Sequence, residues 1–351
     1  MICEVGFCRH HTNIINPLWK HYHDSIVEMM KYQKIIILGI DCLDYHLIRK
    51  WALKHYILDS FGYYFVGLNL YTPIIWAKFL TGINVEKHGF SSKRLSVIKR
   101  IKSLYYIGYP LILFKKIIDV LSQHNNRRVR KVNETSPFNV RNAFSKFIML
   151  NSYSRLSLNE KIVLKLLIKA AYSERLPKKL LRKTFVNDAM NKGLRVQLIE
   201  FPPINDDTYS LIRNMLYFYV NAPPNERQFF LDYVWQATET TLDTLLKSLD
   251  DYDLILCYTP YIDVASHMFY KPKNLRRMLK LYSAYKKLGR KIEEVISKVH
   301  GGTVVLIVSD HGYSPARQDH SYFGYWSINA QIYKKPRTIL DFKHLIRRLI
   351  S

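Results

Sequence analysis

Three hydrophobic runs in this sequence each lead into a carboxylate. Lys34 to Ile40 ends in Asp41, Asp253 to Tyr258 precedes a short loop carrying Asp263 and His267, and Thr303 to Val308 ends in Ser309-Asp310-His311-Gly312, with His320 beyond a polar loop. Carboxylate oxygens and imidazole nitrogens are ligands for borderline divalent ions, and three of each suit a pair of them. Asp263 and His267 are four residues apart, which puts both on one side of a helical turn. Asp310 and His311 are adjacent and diverge unless the turn redirects them. Alone, each stretch is equally an acid in a turn with incidental histidines. A different chemistry is offered by Leu70-Tyr71-Thr72-Pro73, where Pro73 fits the first turn of a helix that Gly82 stops. The Thr72 hydroxyl then sits at a helix N-terminus, where free N–H groups favour an anion or a developing alkoxide. An ordinary N-cap is the plainer account of the same threonine.

These residues need a scaffold that brings strand ends together. Short β-branched runs read as buried parallel strands, and open α/β sheets bind ligands just beyond the carboxyl ends of their strands. Helices are predicted after Asp44, from 72 to 82, from about 224 to 250 and from about 274 to 299, with a further strand at 194–200 and a turn at 202–207. The alternation gives an α/β fold: a doubly wound, mostly parallel sheet flanked by helices. The chain divides into an N-terminal extension (1–33), a catalytic domain (34–92 and 184–351) and a basic, mainly helical insertion or cap (93–183).

A composition 48% apolar and 14% aromatic excludes a disordered chain. The formal charge is +25, and 93–183 alone holds 22 Lys/Arg against 4 Asp/Glu. That field attracts phosphate-bearing substrates, polyanions or anionic surfaces; a solvated lysine-rich face is the bland alternative. Four cysteines without a paired framework point to a reducing compartment. Cys3, Cys8, His10 and His11 lack the second pair that a zinc site needs. No apolar run approaches a membrane span and no secretory signal is evident, so the expected location is the cytoplasm.

In order along the chain, Gly39-Ile40-Asp41-Cys42-Leu43-Asp44, Tyr71-Thr72-Pro73-x-x-Trp76-Ala77-x-Phe79-Leu80-Thr81-Gly82 with His88-Gly89, Asp263-x-x-x-His267, and Ser309-Asp310-His311-Gly312 with His320 resemble the motifs of the type I phosphodiesterase/nucleotide pyrophosphatase group of the alkaline phosphatase superfamily. The resemblance runs over roughly 34–90 and 190–345. It implies an alkaline phosphatase-like fold, Thr72 as a transiently phosphorylated nucleophile, one metal on Asp263, His267 and His320, and a second on Asp41, Asp310 and His311 beside the Thr72 oxygen. Zinc is the usual metal in similar proteins, with manganese or iron compatible with the same ligands. The chain departs from the pattern at Ser91-Ser92, where some relatives carry an asparagine for a phosphate oxygen, at Lys286-Lys287, where many carry an acid, and throughout 93–183. The Cys/Ser-x-Pro-x-Arg context of sulfatases is absent around Thr72.

The expected activity is hydrolysis of phosphodiester or pyrophosphate bonds in a nucleotide or other small organic phosphate, through a threonyl-phosphate, with two divalent ions. The competing readings are a non-catalytic nucleic-acid- or membrane-binding protein on a hydrolase scaffold, and a phosphomonoesterase or phosphomutase of the same superfamily.

Overall fold

The isoleucine run of Lys34–Ile40 (β1) forms the middle of a six-stranded sheet. From Ile35 onward it is buried on both faces with no polar side chain to satisfy, and its backbone is paired on both edges. The computed structural model describes residues 34–91, 174–220 and 222–351. The 1–33 extension, the Cys3/Cys8 segment and most of the 93–183 insertion, with the polyanion contact expected of it, lie outside these.

Past β1 the chain forms α1 (Tyr45–Lys50), β2 (Ser60–Phe65) and α2 (Thr72–Thr81), then α3 (Lys178–Leu181), α4 (Phe185–Asn191) and β3 (Val196–Ile199). Helices α5 (Asp207–Tyr219) and α6 (Pro224–Lys247) precede β4 (Leu254–Thr259), and α7 (Tyr261–Phe269) and α8 (Leu275–Ser297) precede β5 (Thr303–Val308). A small hairpin, β6 (Tyr313–Ser314) and β7 (Asp319–His320), leads to β8 (Phe323–Ile328) and α9 (Asp341–Leu349).

The sheet order is β2-β8-β5-β1-β4-β3. Its four strands β5, β1, β4 and β3 are parallel, and β8 and β2 extend one side antiparallel. The fold is therefore α/β with a mostly parallel sheet. Register decides the site: Ile40 lies opposite Thr259 and Gly39 opposite Val308, so β1, β4 and β5 finish level. Whatever follows each strand emerges at one edge.

The long helices follow the expected pattern. In α8 the buried residues Leu281, Ala284, Tyr285, Leu288, Ile292 and Val295 recur at three- and four-residue spacing, which makes one apolar stripe. Several elements depart from expectation. The Asp44-capped helix stops at Lys50 and gives way to a 3₁₀ turn at Lys54–Tyr56. Helices α5 and α9, the edge strand β2 and its neighbour β8 are not expected from the sequence: β2 is half-exposed, holds Gly62 and mixes aromatic residues on both faces. Among the described residues, no helix is long and apolar enough to cross a membrane.

Helix α2, which carries Thr72, lies on the sheet through Trp76, whose ring contacts Phe201 and Tyr258 with centroids 5.0 and 5.6 Å away. Trp76 fits because Gly39 of β1 has no side chain; a Cβ there would stand 2.9 Å from Trp76 Cη2. Gly39→Ala is expected to cost about 1–3 kcal/mol by overpacking and to lower the urea midpoint without changing the m-value. An unchanged midpoint would show that α2 is not seated by this contact.

Candidate metal centre

Asp41 leaves β1 at the sheet edge, and its backbone N–H is held by the Thr259 carbonyl at 3.0 Å. Two residues on, Leu43 N–H donates to Ser309 Oγ at 2.8 Å, and that hydroxyl donates to the His311 carbonyl at 2.6 Å. One serine thus fastens the turn after β1 to the turn after β5. Asp44 adds a second fastening, capping α1 through Leu47 N–H while its other oxygen accepts from Tyr313 N–H at 3.2 Å. Gly312 leaves room for it, since a Cβ would lie 2.6 Å from that oxygen.

Within this frame Asp41, Asp310 and His311 converge, all three without solvent exposure. His311 Nε2 lies 3.2 Å from Asp41 Oδ1 and 3.3 Å from Asp310 Oδ2. The turn therefore redirects the adjacent pair onto a common point instead of letting them diverge. Asp263 and His267 sit on one face of α7, with His267 Nε2 3.3 Å from Asp263 Oδ1. His320, delivered by the β6–β7 hairpin, brings its Nε2 to 3.4 Å from the same oxygen and 3.0 Å from His267 Nε2. The two groups touch, because the His311 and His320 rings stack with centroids 3.7 Å apart and planes 15° from parallel.

The hydrogens on these rings can be placed. His311 Nδ1 lies 3.2 Å from the Gly312 carbonyl and His320 Nδ1 3.2 Å from the Leu70 carbonyl. A carbonyl only accepts, so Nδ1 carries the hydrogen in each, as in metal-bound histidines. In a neutral ring Nε2 then offers a lone pair. His311 Nε2, Asp41 Oδ1, Asp310 Oδ2 and Asp263 Oδ1 are buried and have no hydrogen-bond partner. Lone pairs at contact distance with no hydrogen between them repel, and a cation removes that conflict. Bonds of about 2.0–2.1 Å at tetrahedral angles hold N and O donors roughly 3.3–3.4 Å apart, close to the spacing found here. The donors thus fit divalent ions.

Protonation follows the same geometry. Burial, reinforced by the charge of Asp263, raises Asp41; burial and the neighbouring Asp41 raise Asp310 well above the carboxylate range. Burial also opposes ionisation of Asp263, but His267 and His320 overcome it and hold that group well below its usual value. Burial and the charge on His320 lower His311. For His320 itself, burial opposes charge, but Asp263 outweighs it and lifts the ring to about 9.

Thr72 is the first residue of α2, and Tyr71 is the N-cap, so the threonine is one position further in than an N-cap reading places it. It is buried, and its hydroxyl has no hydrogen bond among the described residues. The Leu70–His320 contact ties the segment entering α2 to the histidine pair. Of the departures from the motif pattern, Lys287 packs its ammonium 4.1 Å from the Trp235 ring centroid, a structural placement on α8.

Several site residues escaped the sequence reading. Tyr258, in β4, donates to Asp41 Oδ2 and so turns Oδ1 towards His311. Tyr71 donates to Glu174 at 2.5 Å, and Glu174 also accepts from Ser210 and Arg213. A β-strand tyrosine and a glutamate about a hundred residues from its partner have no local signature; only the register of β1 and β4 could have suggested Tyr258.

An α/β sheet with carboxylate and imidazole donors gathered beyond its strand ends defines an α/β protein with a candidate metal centre. The family model for type I phosphodiesterase / nucleotide pyrophosphatase matches residues 154–333, and the chain belongs to that family of metal-dependent hydrolases. The match contains Asp263, His267, Asp310, His311 and His320; Asp41 and Thr72 precede it. No curated protein matches the chain. Among solved structures, the PH0037 protein from Pyrococcus horikoshii is similar at 12% identity over 55% of this chain and 58% of that one, with a TM-score of 0.28, too slight a likeness to bear on fold or function.

In metal-free protein, His320 contributes stability that is fully present below its unfolded value of 6.5 and is lost as pH rises to about 9. The difference in unfolding free energy between wild type and His320→Asn should therefore shrink over that window by on the order of 3 kcal/mol. A difference flat from pH 6 to 9 would show that Asp263 does not hold the ring charged.

Proposed function

We propose that this protein hydrolyses phosphodiester or pyrophosphate bonds of a small organic phosphate at a centre of two divalent ions, through a phosphorylated Thr72. The observation that carries this reading is the pair of donor groups, Asp263/His267/His320 and Asp41/Asp310/His311, each closed to within 4.8 Å and in contact through stacked imidazoles. The ion pair is assigned by donor chemistry; zinc suits mixed imidazole and carboxylate ligands, and iron or manganese are compatible with them. When bound, such ions neutralise phosphate charge and acidify a nearby hydroxyl.

The chain supplies the rest. Thr72 presents a hydroxyl at the first turn of α2, where the helix N-terminus favours negative charge on its oxygen. Tyr71, anchored on Glu174, and Trp76, anchored on the sheet, fix the start of the helix that carries that hydroxyl. Tyr258 holds Asp41, and the Gly312 and Leu70 carbonyls hold the His311 and His320 rings in the tautomer with Nε2 forward. In the first step the Thr72 oxygen bonds to phosphorus, the ester oxygen departs, and the threonine proton is made good on that leaving oxygen. A water then displaces Thr72 from phosphorus and restores its hydroxyl. A threonine hydroxyl is a poor nucleophile at neutral pH, so this sequence depends on the surrounding charge.

Elemental analysis of purified protein should find two transition-metal ions per chain, with His267→Ala emptying one position and Asp310→Asn the other. Thr72→Ala should leave the metal content unchanged and abolish the covalent phosphoryl label recovered after quenching turnover of a labelled diester. Thr72→Ser should keep part of the activity. Full turnover by Thr72→Ala would make the threonine a helix residue only and assign the attack to water.

A further inference from the structure

Cys42 directly follows Asp41 in the turn beyond β1. Its backbone has φ = +62°, the left-handed region, where a side chain's Cβ crowds the neighbouring carbonyl and glycine is the usual occupant. The side chain is completely buried, and its sulfur takes no hydrogen bond among the described residues. Its backbone is held on both sides: the N–H donates to Asp310 Oδ1 at 3.4 Å, and the carbonyl accepts from Tyr285 at 3.4 Å. This conformation places the thiol within 4.8 Å of donor atoms of Asp263 and His311, one from each of the two donor groups. Asp263 Oδ1 and His311 Nε2 are themselves buried and without hydrogen-bond partners.

The geometry points to Cys42 as a thiolate ligand at the seam between the two ions, a seventh donor to a centre otherwise built from three carboxylates and three imidazoles. The inference rests on the two-ion reading above. Zinc holds sulfur at about 2.3 Å and nitrogen or oxygen at about 2.0–2.2 Å, so small side-chain rotations bring these three donors onto one ion. Binding exchanges the S–H bond for a metal–sulfur bond, with the proton released to solvent. A thiolate favours zinc, cobalt(II) and iron(II) over manganese and magnesium. Cys42 is thus a residue that selects which metal the centre accepts. Cys257, the other buried free cysteine among the described residues, lies within β4 and belongs to neither donor group.

The test uses the full-length protein stripped of metal and reloaded with cobalt(II). Wild type should bind two ions and show a sulfur-to-cobalt charge-transfer absorption in the near ultraviolet. Cys42→Gly suits the backbone conformation, so the variant should fold at least as well as wild type without metal. It should lose the absorption and bind one of its ions at least about tenfold more weakly in chelator competition. Cys42→Ser, which keeps an oxygen donor, should also lose the absorption while retaining two ions at high cobalt. The preference for cobalt or zinc over manganese should narrow in both variants. Two ions bound without the absorption, or an absorption that survives in Cys42→Gly, would overturn the role of Cys42 and leave the two-ion centre standing. Failure to bind cobalt at all would overturn both.

Discussion

Asp41, Asp310 and His311 are packed out of water at the end of one sheet, with the imidazole Nε2 little more than 3 Å from both carboxylates, and Asp263 is buried beside them. Two like charges 4 Å apart repel by about 4 kcal/mol even at an effective dielectric constant near 20. Without a cation the chain answers with protons: burial and the charge of Asp263 push Asp41 upwards, burial and Asp41 push Asp310 upwards, and His320 keeps a proton that offsets Asp263. Four buried donor atoms of the cluster, Asp41 Oδ1, Asp263 Oδ1, Asp310 Oδ2 and His311 Nε2, have no geometrically formed hydrogen bond. The surrounding architecture exists to hold this arrangement in place against that repulsion.

Stiffness comes first from the sheet. Strands β1, β4 and β5 are level and buried on both faces, so the segments beyond them have little freedom in where they start. Ser309 and Asp44 then cross-link the turns after β1 and β5, and Tyr64 donates its hydroxyl to the Ser309 carbonyl from beneath. Helix α2 is keyed into β1 by Trp76 against Gly39, which sets Thr72 at a defined depth. The threonine at the start of α2 and the carboxylates and imidazoles beyond the strands are held in one frame this way.

The central strands and the six donor residues were legible because their signals are local. A strand buried on both faces is a run of β-branched residues, a turn must follow it, and an i, i+4 pair on a helix needs no knowledge of the fold. The antiparallel strands β2 and β8 were not: the half-exposed edge strand Ser60–Phe65 and the largely buried Phe323–Ile328 both mix glycine, aromatic and polar residues without a period. Helix α5, which opens on Asp206-Asp207 just past a proline-rich turn, looked like a continuation of that turn. Tyr258 and Ser309 act through tertiary contacts with partners 217 and 266 residues away; nothing in its neighbourhood marks Tyr258, and the motif that contains Ser309 does not reveal its cross-link to Leu43. Cys42 was visible as a residue, but its positive φ and the two donors beside it emerge only from the folded turn.

The molecule contains its own comparison for the acidic cluster. Behind Tyr71 lies a second set of buried acids, Glu174 and Asp206, and there the chain provides a guanidinium: Arg213 donates to both. Charge-assisted bonds of this kind let carboxylates remain buried as a self-contained structure. Arg213 also lies 5.9 Å from the ring centroid of Tyr258, whose hydroxyl donates to Asp41 on the other side. One aromatic ring thus separates two buried acidic clusters. Among the described residues, no lysine or arginine pairs with Asp41, Asp263 or Asp310; histidine is the only basic residue that reaches them. A chain carrying 53 lysines and arginines has no shortage of cations to place there. Their exclusion from this cluster, a few ångströms from one where an arginine is used, marks the site as built for a charge that the polypeptide does not itself supply.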